Sequence, residues 1–235
     1  MTNSDNCATF FRRTHGKSRS RARAARGALI RTRPAASIPA ARTMRIIAGF
    51  HRGRKFDAPE GLTTRPMTDR VRENLFNLLG PAVVDAVALD LFCGSGALGM
   101  ESLSRGAAWC TFVDDDRAAI EVVETNCRRL GLEERAKIVR HDALRAGPWI
   151  GPPRGGGYSI IFVDPPYKMT AEPDGRRGLA EMMGRLERLH CIAPGATAML
   201  RVERGTQHEL PWPGFDLYDA RSYGTTTLYL MTYKS

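Results

Sequence analysis

From about residue 87 onward, short apolar runs alternate with amphipathic stretches. Val87–Phe92, Trp109–Val113, Lys137–Arg140, Tyr158–Val163 and Ala196–Glu203 read as strands, several of them apolar on both faces. Between them, Ala97–Arg105, Arg117–Leu130 and Leu179–Leu189 carry apolar residues at helical spacing; Gly106 and Gly131 stop the first two. Repeated strand–helix units predict a parallel sheet with helices on both faces. Ligands of such sheets bind outside the carboxyl ends of the strands, where the strand order reverses.

The flanks follow other rules. Thr68–Leu79 reads as a helix: Thr68 can cap it, Asp69 suits the first turn, Val71, Leu75, Phe76 and Leu79 share a face, and Gly80-Pro81 ends it. Met44–Ala48 and Arg54–Ala58 flank Gly49-Phe50-His51-Arg52-Gly53, which predicts a hairpin with basic residues at its turn and edge. Leu217–Ser222 and Thr225–Tyr233 predict a second hairpin around Tyr223-Gly224. The Pro/Gly-rich stretch Ala146–Gly157 is left as a loop, and no internal repeat is evident.

Residues 1–43 lack this periodicity. They are rich in Arg, Ala and Ser and read as a disordered basic extension. A start codon assigned too far upstream of Met44, an RNA-binding arm and a transit peptide all fit that composition. The extension changes the meaning of the charge. It holds ten Lys/Arg against one acid, so the 192 residues after it carry only +1 of the net +10. A nucleic-acid surface on the folded part must therefore be patterned rather than built on excess charge. No run of 18 apolar residues is present, which argues against a membrane span. Cys7, Cys93, Cys110, Cys127 and Cys191 never form C-x-x-C and do not cluster with histidines, so no metal is expected and a reducing cytoplasm suits the chain.

Two motifs carry chemistry. Asp90-Leu91-Phe92-Cys93-Gly94-Ser95-Gly96-Ala97-Leu98-Gly99 follows a strand and opens a helix. Residues without Cβ let a ligand lie against the main chain at a helix N-terminus. Dinucleotide enzymes share this loop, and Asp114 at the next strand end grips ribose hydroxyls in either cofactor class. S-adenosylmethionine is favoured by the company the loop keeps. Asp90 can hold a cationic aminoacyl group, Asp142-Ala143 can meet an adenine amine, and Asp115 neighbours Asp114. Asp90, Asp114, Asp142 and Asp164 at successive strand ends form an acidic rim that repels pyrophosphate and accepts a sulfonium with an ammonium. Each Asp alone reads equally as a cap or turn residue; the four together do not.

The second motif is Asp164-Pro165-Pro166-Tyr167 after the apolar run Ile160–Val163. An amine on an aromatic ring has a delocalised lone pair and is a poor nucleophile. The Asp164 carboxylate and a backbone carbonyl, that of Pro165, can accept its two N–H groups and turn the lone pair toward a methyl donor. Pro165 and Pro166 stiffen the turn, and Tyr167 offers a ring for stacking, worth about 1–3 kcal/mol per base. Catalysis is then positioning.

At these residues the chain resembles the ribosomal small-subunit methyltransferase D family, from Met44 to about Tyr233. The resemblance is carried by Met44-Arg45-Ile46-Ile47-Ala48-Gly49, Arg52-Gly53-Arg54-Lys55, Thr64-Arg65-Pro66-Met67-Thr68-Asp69-Arg70-Val71-Arg72-Glu73, the glycine loop and Phe162–Tyr167. It implies an α/β fold: a seven-stranded class I S-adenosylmethionine methyltransferase sheet, Rossmann-like, over 63–235, preceded by an RNA-contacting β-hairpin at 44–62. It implies methylation of the N2 amine of a guanine, number 966 of 16S ribosomal RNA, during small-subunit assembly. Asp90, Phe92, Gly94, Ser95, Gly96, Asp114, Asp115, Asp142 and Ala143 would line the cofactor, and Asp164, Pro165, Pro166 and Tyr167 would hold the guanine. Arg52, Arg54, Lys55, Arg70 and Arg72 would meet RNA phosphates, though each also suits a solvated face or a helix ion pair. Arg65 could equally be a structural partner of Asp69. Cys93 replaces a common Ala, and the loop Ala146–Gly157 is richer in Gly and Pro than is usual. An enzyme of this size can act as a monomer.

Other readings are an adenine-N6 DNA methyltransferase, a glutamine-amide methyltransferase, a non-catalytic RNA-binding assembly factor and a nicotinamide oxidoreductase. The first lacks room for a target-recognition domain, the second more often has Asn before Pro-Pro-Tyr, the third is opposed by intact motifs, and the last lacks a hydride-transfer constellation. Deleting residues 1–43 is expected to leave activity on assembled subunits mostly unchanged. A large loss with a shallower salt dependence of RNA binding would instead make the extension a phosphate-binding arm.

Overall fold

The computed structural model describes residues 43–59, 67–145, 147, 150–152, 155–206, 210 and 212–234. The disorder expected for 1–43 falls outside them except for Thr43, as do Arg65 and part of the Ala146–Gly157 loop. Apolar residues facing both ways along each central run produce a buried sheet, and the amphipathic stretches cover it. The order is β1 (Thr43–Arg45), β2 (Lys55–Asp57), α1 (Asp69–Leu79), β3 (Val87–Leu91), α2 (Ala97–Ser104), β4 (Trp109–Asp114), α3 (Arg117–Leu130), β5 (Ala136–Arg140), β6 (Tyr158–Val163), α4 (Tyr167–Ala171), α5 (Pro173–Arg188), β7 (Ile192–Glu203), β8 (Phe215–Tyr223) and β9 (Thr226–Tyr233). The seven-stranded sheet runs β5-β4-β3-β6-β7-β9-β8, and β1 pairs only with β2. Strands β5, β4, β3, β6 and β7 are parallel, whereas β9 is antiparallel to both β7 and β8. The sheet is therefore mixed, its antiparallel edge being the predicted C-terminal hairpin.

Successive residues of β6 show how the core divides. Ile160 and Phe162 face a cluster with α1, α2 and α3, including Leu75, Phe76, Met100 and Val123. Ile161 and Val163 face the cluster with α5, including Leu179, Met182 and Leu186. Local signals set the helix ends. The Val71 N–H donates to the Thr68 hydroxyl at 3.4 Å, Asp116 accepts from Ala118 N–H at the start of α3, and Gly131 ends α3 with φ 69°.

Several elements differ from the sequence reading, β7 among them, which starts at Ile192 rather than Ala196. The N-terminal strands are three residues each, because the turn between them folds back on itself: Ile46 N–H donates to Arg54 O and Gly53 N–H to Ile46 O. Helix α5 begins at Pro173 rather than Leu179, and α4 was not anticipated. Pro173 suits a first helical turn, where its missing N–H is no loss, but Gly175 and Gly178 just after it disguise the segment as a loop.

The hairpin is held by buried charge. Glu101 in α2 is 1% exposed. Its carboxylate accepts from Ile47 N–H (2.8 Å), Ala48 N–H (3.0 Å) and Arg105 Nε (2.8 Å), with Arg72 Nε 3.9 Å away. Arg72 itself is fully buried and donates to Arg45 O and Asp69 Oδ1. This corrects the assignment of Arg72 to RNA: a side chain with no exposed surface cannot meet a phosphate. Asp69 pairs with Arg45 and Arg72. Removing one partner of a buried pair leaves the other uncompensated, which costs about 3–5 kcal/mol. Glu101→Ala is expected to lose about that much stability in urea unfolding, and Glu101→Gln, which keeps an acceptor, less.

Candidate active site

The strand order reverses between β3 and β6. From β3 the chain steps to β4 and β5 on one side, then returns to β6 and β7 on the other. Leu91 pairs with Val163, and Asp164 N–H reaches Leu91 O at 3.3 Å. The glycine loop and the Asp164–Tyr167 turn thus leave neighbouring strand ends. One crevice there is lined by Asp90, Phe92, Cys93, Gly94, Ser95 and Asp164, with Met67, Ala97, Leu98 and Arg201.

The loop is shaped by close approach. A Cβ on Gly99 would lie 2.2 Å from the Phe112 ring and 2.6 Å from Cys110 Sγ, so only glycine lets α2 lie this close to β4. Gly94 and Gly96 have φ of 51° and 73°. Phe92 has φ 59°, a left-handed conformation that non-glycine residues rarely adopt. Such strain persists where the surroundings over-determine it, often at functional sites. Two carboxylates supply that constraint: Asp114 Oδ2 accepts from Gly94 N–H (2.8 Å) and Asp90 Oδ2 from Gly99 N–H (2.9 Å).

The acidic groups sit at the ends of four adjacent parallel strands, but not equivalently. Asp90 is buried, Asp114, Asp142 and Asp164 are half-buried, and Asp115 is exposed. Asp142 Oδ1 accepts from Leu144 N–H, Asp115 offers its carbonyl to Arg140, and Ala143 is buried beneath the rim. None of Asp114, Asp115, Asp142 and Ala143 lines the crevice beside Asp90 and Asp164. Burial pushes the Asp90 carboxyl well above its ordinary range; the Gly99 N–H opposes this, and the charges of Asp164 and Asp114 add to it. Burial also raises Asp114 and Asp164, opposed at Asp164 by the Arg201 guanidinium.

Beyond Asp164 opens a cavity of about 570 Å³, lined by Met67, Thr68, Arg70, Val71, Tyr167, Arg201 and the turn Ser222–Thr226 of the C-terminal hairpin. Pro165 is buried and Pro166 precedes α4. The Tyr167 hydroxyl meets Thr226 Oγ1 at 2.5 Å. Arg201 was not anticipated. Its Nε lies 2.6 Å from Asp164 Oδ1, and its guanidinium stands over the Tyr167 ring, 5.4 Å from the centroid. The available signal was an arginine inside the otherwise apolar run Ala198–Val202.

The proposed RNA contacts separate. Arg70 lines the cavity. Arg52, Arg54 and Lys55 are exposed but lie by the hairpin turn, whose Phe50 and His51 N–H groups bond to Ser104 at the far end of α2. Helix α2 begins at the crevice and is eight residues long, about 12 Å. Arg54 also donates to Arg129 O.

A doubly wound sheet with this loop at its switch point defines a class I methyltransferase whose cofactor is S-adenosylmethionine. The family described as Conserved hypothetical protein 95 matches residues 44–232. The ribosomal RNA small subunit methyltransferase D of Escherichia coli (strain K12) is 41% identical over 169 residues, 72% of this chain and 78% of that one. The chain belongs to the ribosomal small-subunit methyltransferase D family. Among solved structures, Escherichia coli yhhF has 36% identity and a TM-score of 0.67, over 82% of this chain and 98% of that one. An RNA methyltransferase from Salinibacter ruber in complex with S-adenosyl-L-homocysteine has a TM-score of 0.53 at 14% identity, over 72% and 94% of the two chains, and shares the fold.

The crevice fits the cofactor's charge. Asp90 and Asp164 present carboxylates, and the main chain at Gly94–Gly96 carries no Cβ at two of three positions. A bound cation favours ionised Asp90, whose pKa is raised in its absence, so binding should release protons. Calorimetry of S-adenosylhomocysteine, which keeps the ammonium, is expected to show proton release in buffers of different ionisation enthalpy. Affinity should fall toward acid, with its onset above the ordinary carboxylate range. Asp90→Asn should remove both effects.

Proposed function

We propose that this protein methylates the exocyclic N2 amine of a guanine in small-subunit ribosomal RNA, the guanine at position 966 that the family resemblance implies. The observation carrying this reading is the position of Asp164, which lines the crevice and pairs with Arg201, a residue that lines both the crevice and the Tyr167-lined cavity. A base seated in that cavity presents its amine to Asp164. The cofactor supplies a methyl group on a sulfonium. Asp164 and the Pro165 carbonyl accept the two amine N–H groups, Tyr167 stacks the ring, and the buried surroundings exclude water from the reacting atoms. The amine needs no prior deprotonation, because its proton can leave after transfer.

Ribosomal RNA as substrate is supported by the name of the Escherichia coli relative, and guanine by the family resemblance that the block around Asp69–Glu73 and the basic hairpin carry. Arg70 at the cavity suits a phosphate beside the flipped base, and Arg52, Arg54 and Lys55 suit phosphates further away.

Asp164→Ala is expected to lower kcat by about a hundred- to a thousand-fold while S-adenosylhomocysteine binding persists. Near-normal turnover would overturn the role of Asp164. Incubation with labelled S-adenosylmethionine and 30S-like particles, DNA or release factor should label the RNA at a guanine; label on DNA or protein alone would overturn the substrate.

A further inference from the structure

Arg201 lies in β7, paired with Leu228 of β9, and its side chain is 4% exposed. It borders both the crevice and the cavity. Its planar, N–H-bearing head rests on the Tyr167 ring and against the Asp164 carboxylate. Those are the two partners that a target base requires. One ring face cannot stack a guanidinium and a base together. A carboxylate neutralised by arginine also cannot fully stabilise the positive charge that grows on the attacked nitrogen.

We propose that Arg201 is a positioning residue that stands in for the target base: it holds Asp164 and Tyr167 in place while the seat is empty and yields both when the base enters. This rests on the assignment of Asp164–Tyr167 as the base seat. The exchange is favoured by direction. Arg201 meets Asp164 Oδ1 from the side that borders the cavity, so an amine entering through the cavity competes for the same carboxylate. The guanidinium can turn into the cavity beside it, toward the hydroxyls of Ser222 and Thr226 and the phosphates of an entering strand.

Among the described residues, the charged groups that interact with Asp164 are Arg201 from β7 and Asp90 from β3, and Tyr167 from α4 lies under the Arg201 guanidinium. Burial favours the protonated acid at Asp164, and Arg201 opposes it. The empty enzyme therefore depends on Arg201 for an ionised Asp164, and the base complex does not. The pH dependence of kcat/KM reports the free enzyme, and that of kcat reports the substrate complex.

The test is steady-state methylation of 30S-like particles by Arg201→Met and Arg201→Lys across pH, with circular dichroism and thermal unfolding as controls for folding. In Arg201→Met the acid limb of kcat/KM should move to higher pH while that of kcat stays. Above the limb, KM for RNA should not rise, and should fall by the factor by which the plug held the seat. Arg201→Lys, which keeps the charge, should return the kcat/KM limb toward wild type. A shift of the kcat limb together with that of kcat/KM would overturn the proposal, since Arg201 would then stay on Asp164 through the reaction. A higher KM at every pH with neither limb moved would also overturn it, making Arg201 an RNA-gripping residue. If the variants fail to fold, the ¹⁵Nε signal of Arg201 in the wild-type protein decides: RNA added to the S-adenosylhomocysteine complex should shift it, and an unmoved signal would sink the idea. If Asp164→Ala keeps turnover, the seat itself is misassigned; if it is inactive and the Arg201 arms fail, only this inference falls.

Discussion

The parallel pairing of β3 with β6 places the groups at the centre of this site. Leu91 beside Val163 puts the glycine loop and the Asp164–Tyr167 turn on neighbouring strand ends, with Asp90 and Asp164 lining one crevice. The strand order reverses there, so the two connections leave in opposite directions and open a gap above the sheet. A slip of one residue would exchange the faces of every side chain on β6, sending Phe162 away from Phe76 and Val163 out of its own cluster. The two-sided core therefore fixes the register, and the register fixes the site.

Buried charge appears twice, with different consequences. Glu101 and Arg72 are closed in by backbone N–H and C=O groups, and their network ties the N-terminal hairpin to α1 and α2. Asp164 and Arg201 lie where a crevice meets a cavity. Their pairing is open to competition from an entering ligand. Burial raises Asp90, Asp114 and Asp164 together, so ionising them carries a cost that a cationic ligand relieves. The first pair stiffens the scaffold; the second suits exchange with substrate.

The hairpin turn sits at the opposite end of α2 from the crevice, held by Ser104 and Glu101. Arg52 and Arg54 there and Arg70 at the cavity mark two separate basic places on a folded part whose net charge is small. Spacing rather than excess charge is what such a surface offers a structured RNA.

Local chemistry made much of this legible in the sequence. Thr68 and Gly131 mark helix ends because capping involves only neighbouring residues, and β6 runs Tyr158–Val163 as read because an unbroken apolar run suits a strand buried on both faces. The glycine loop and Asp-Pro-Pro-Tyr were legible as strand-end turns because the shape of each is dictated by its own glycines and prolines, and the fold brings them to one crevice. Tertiary structure decided the rest. Pro173 and two glycines concealed the start of α5, which packing against β6 and β7 stabilises. Arg72 belongs to the core and Arg201 to the site, although both are simply arginines in the sequence. The partners that decide their roles, Glu101 and Asp164, lie on other elements, and a charge takes its function from what is buried beside it.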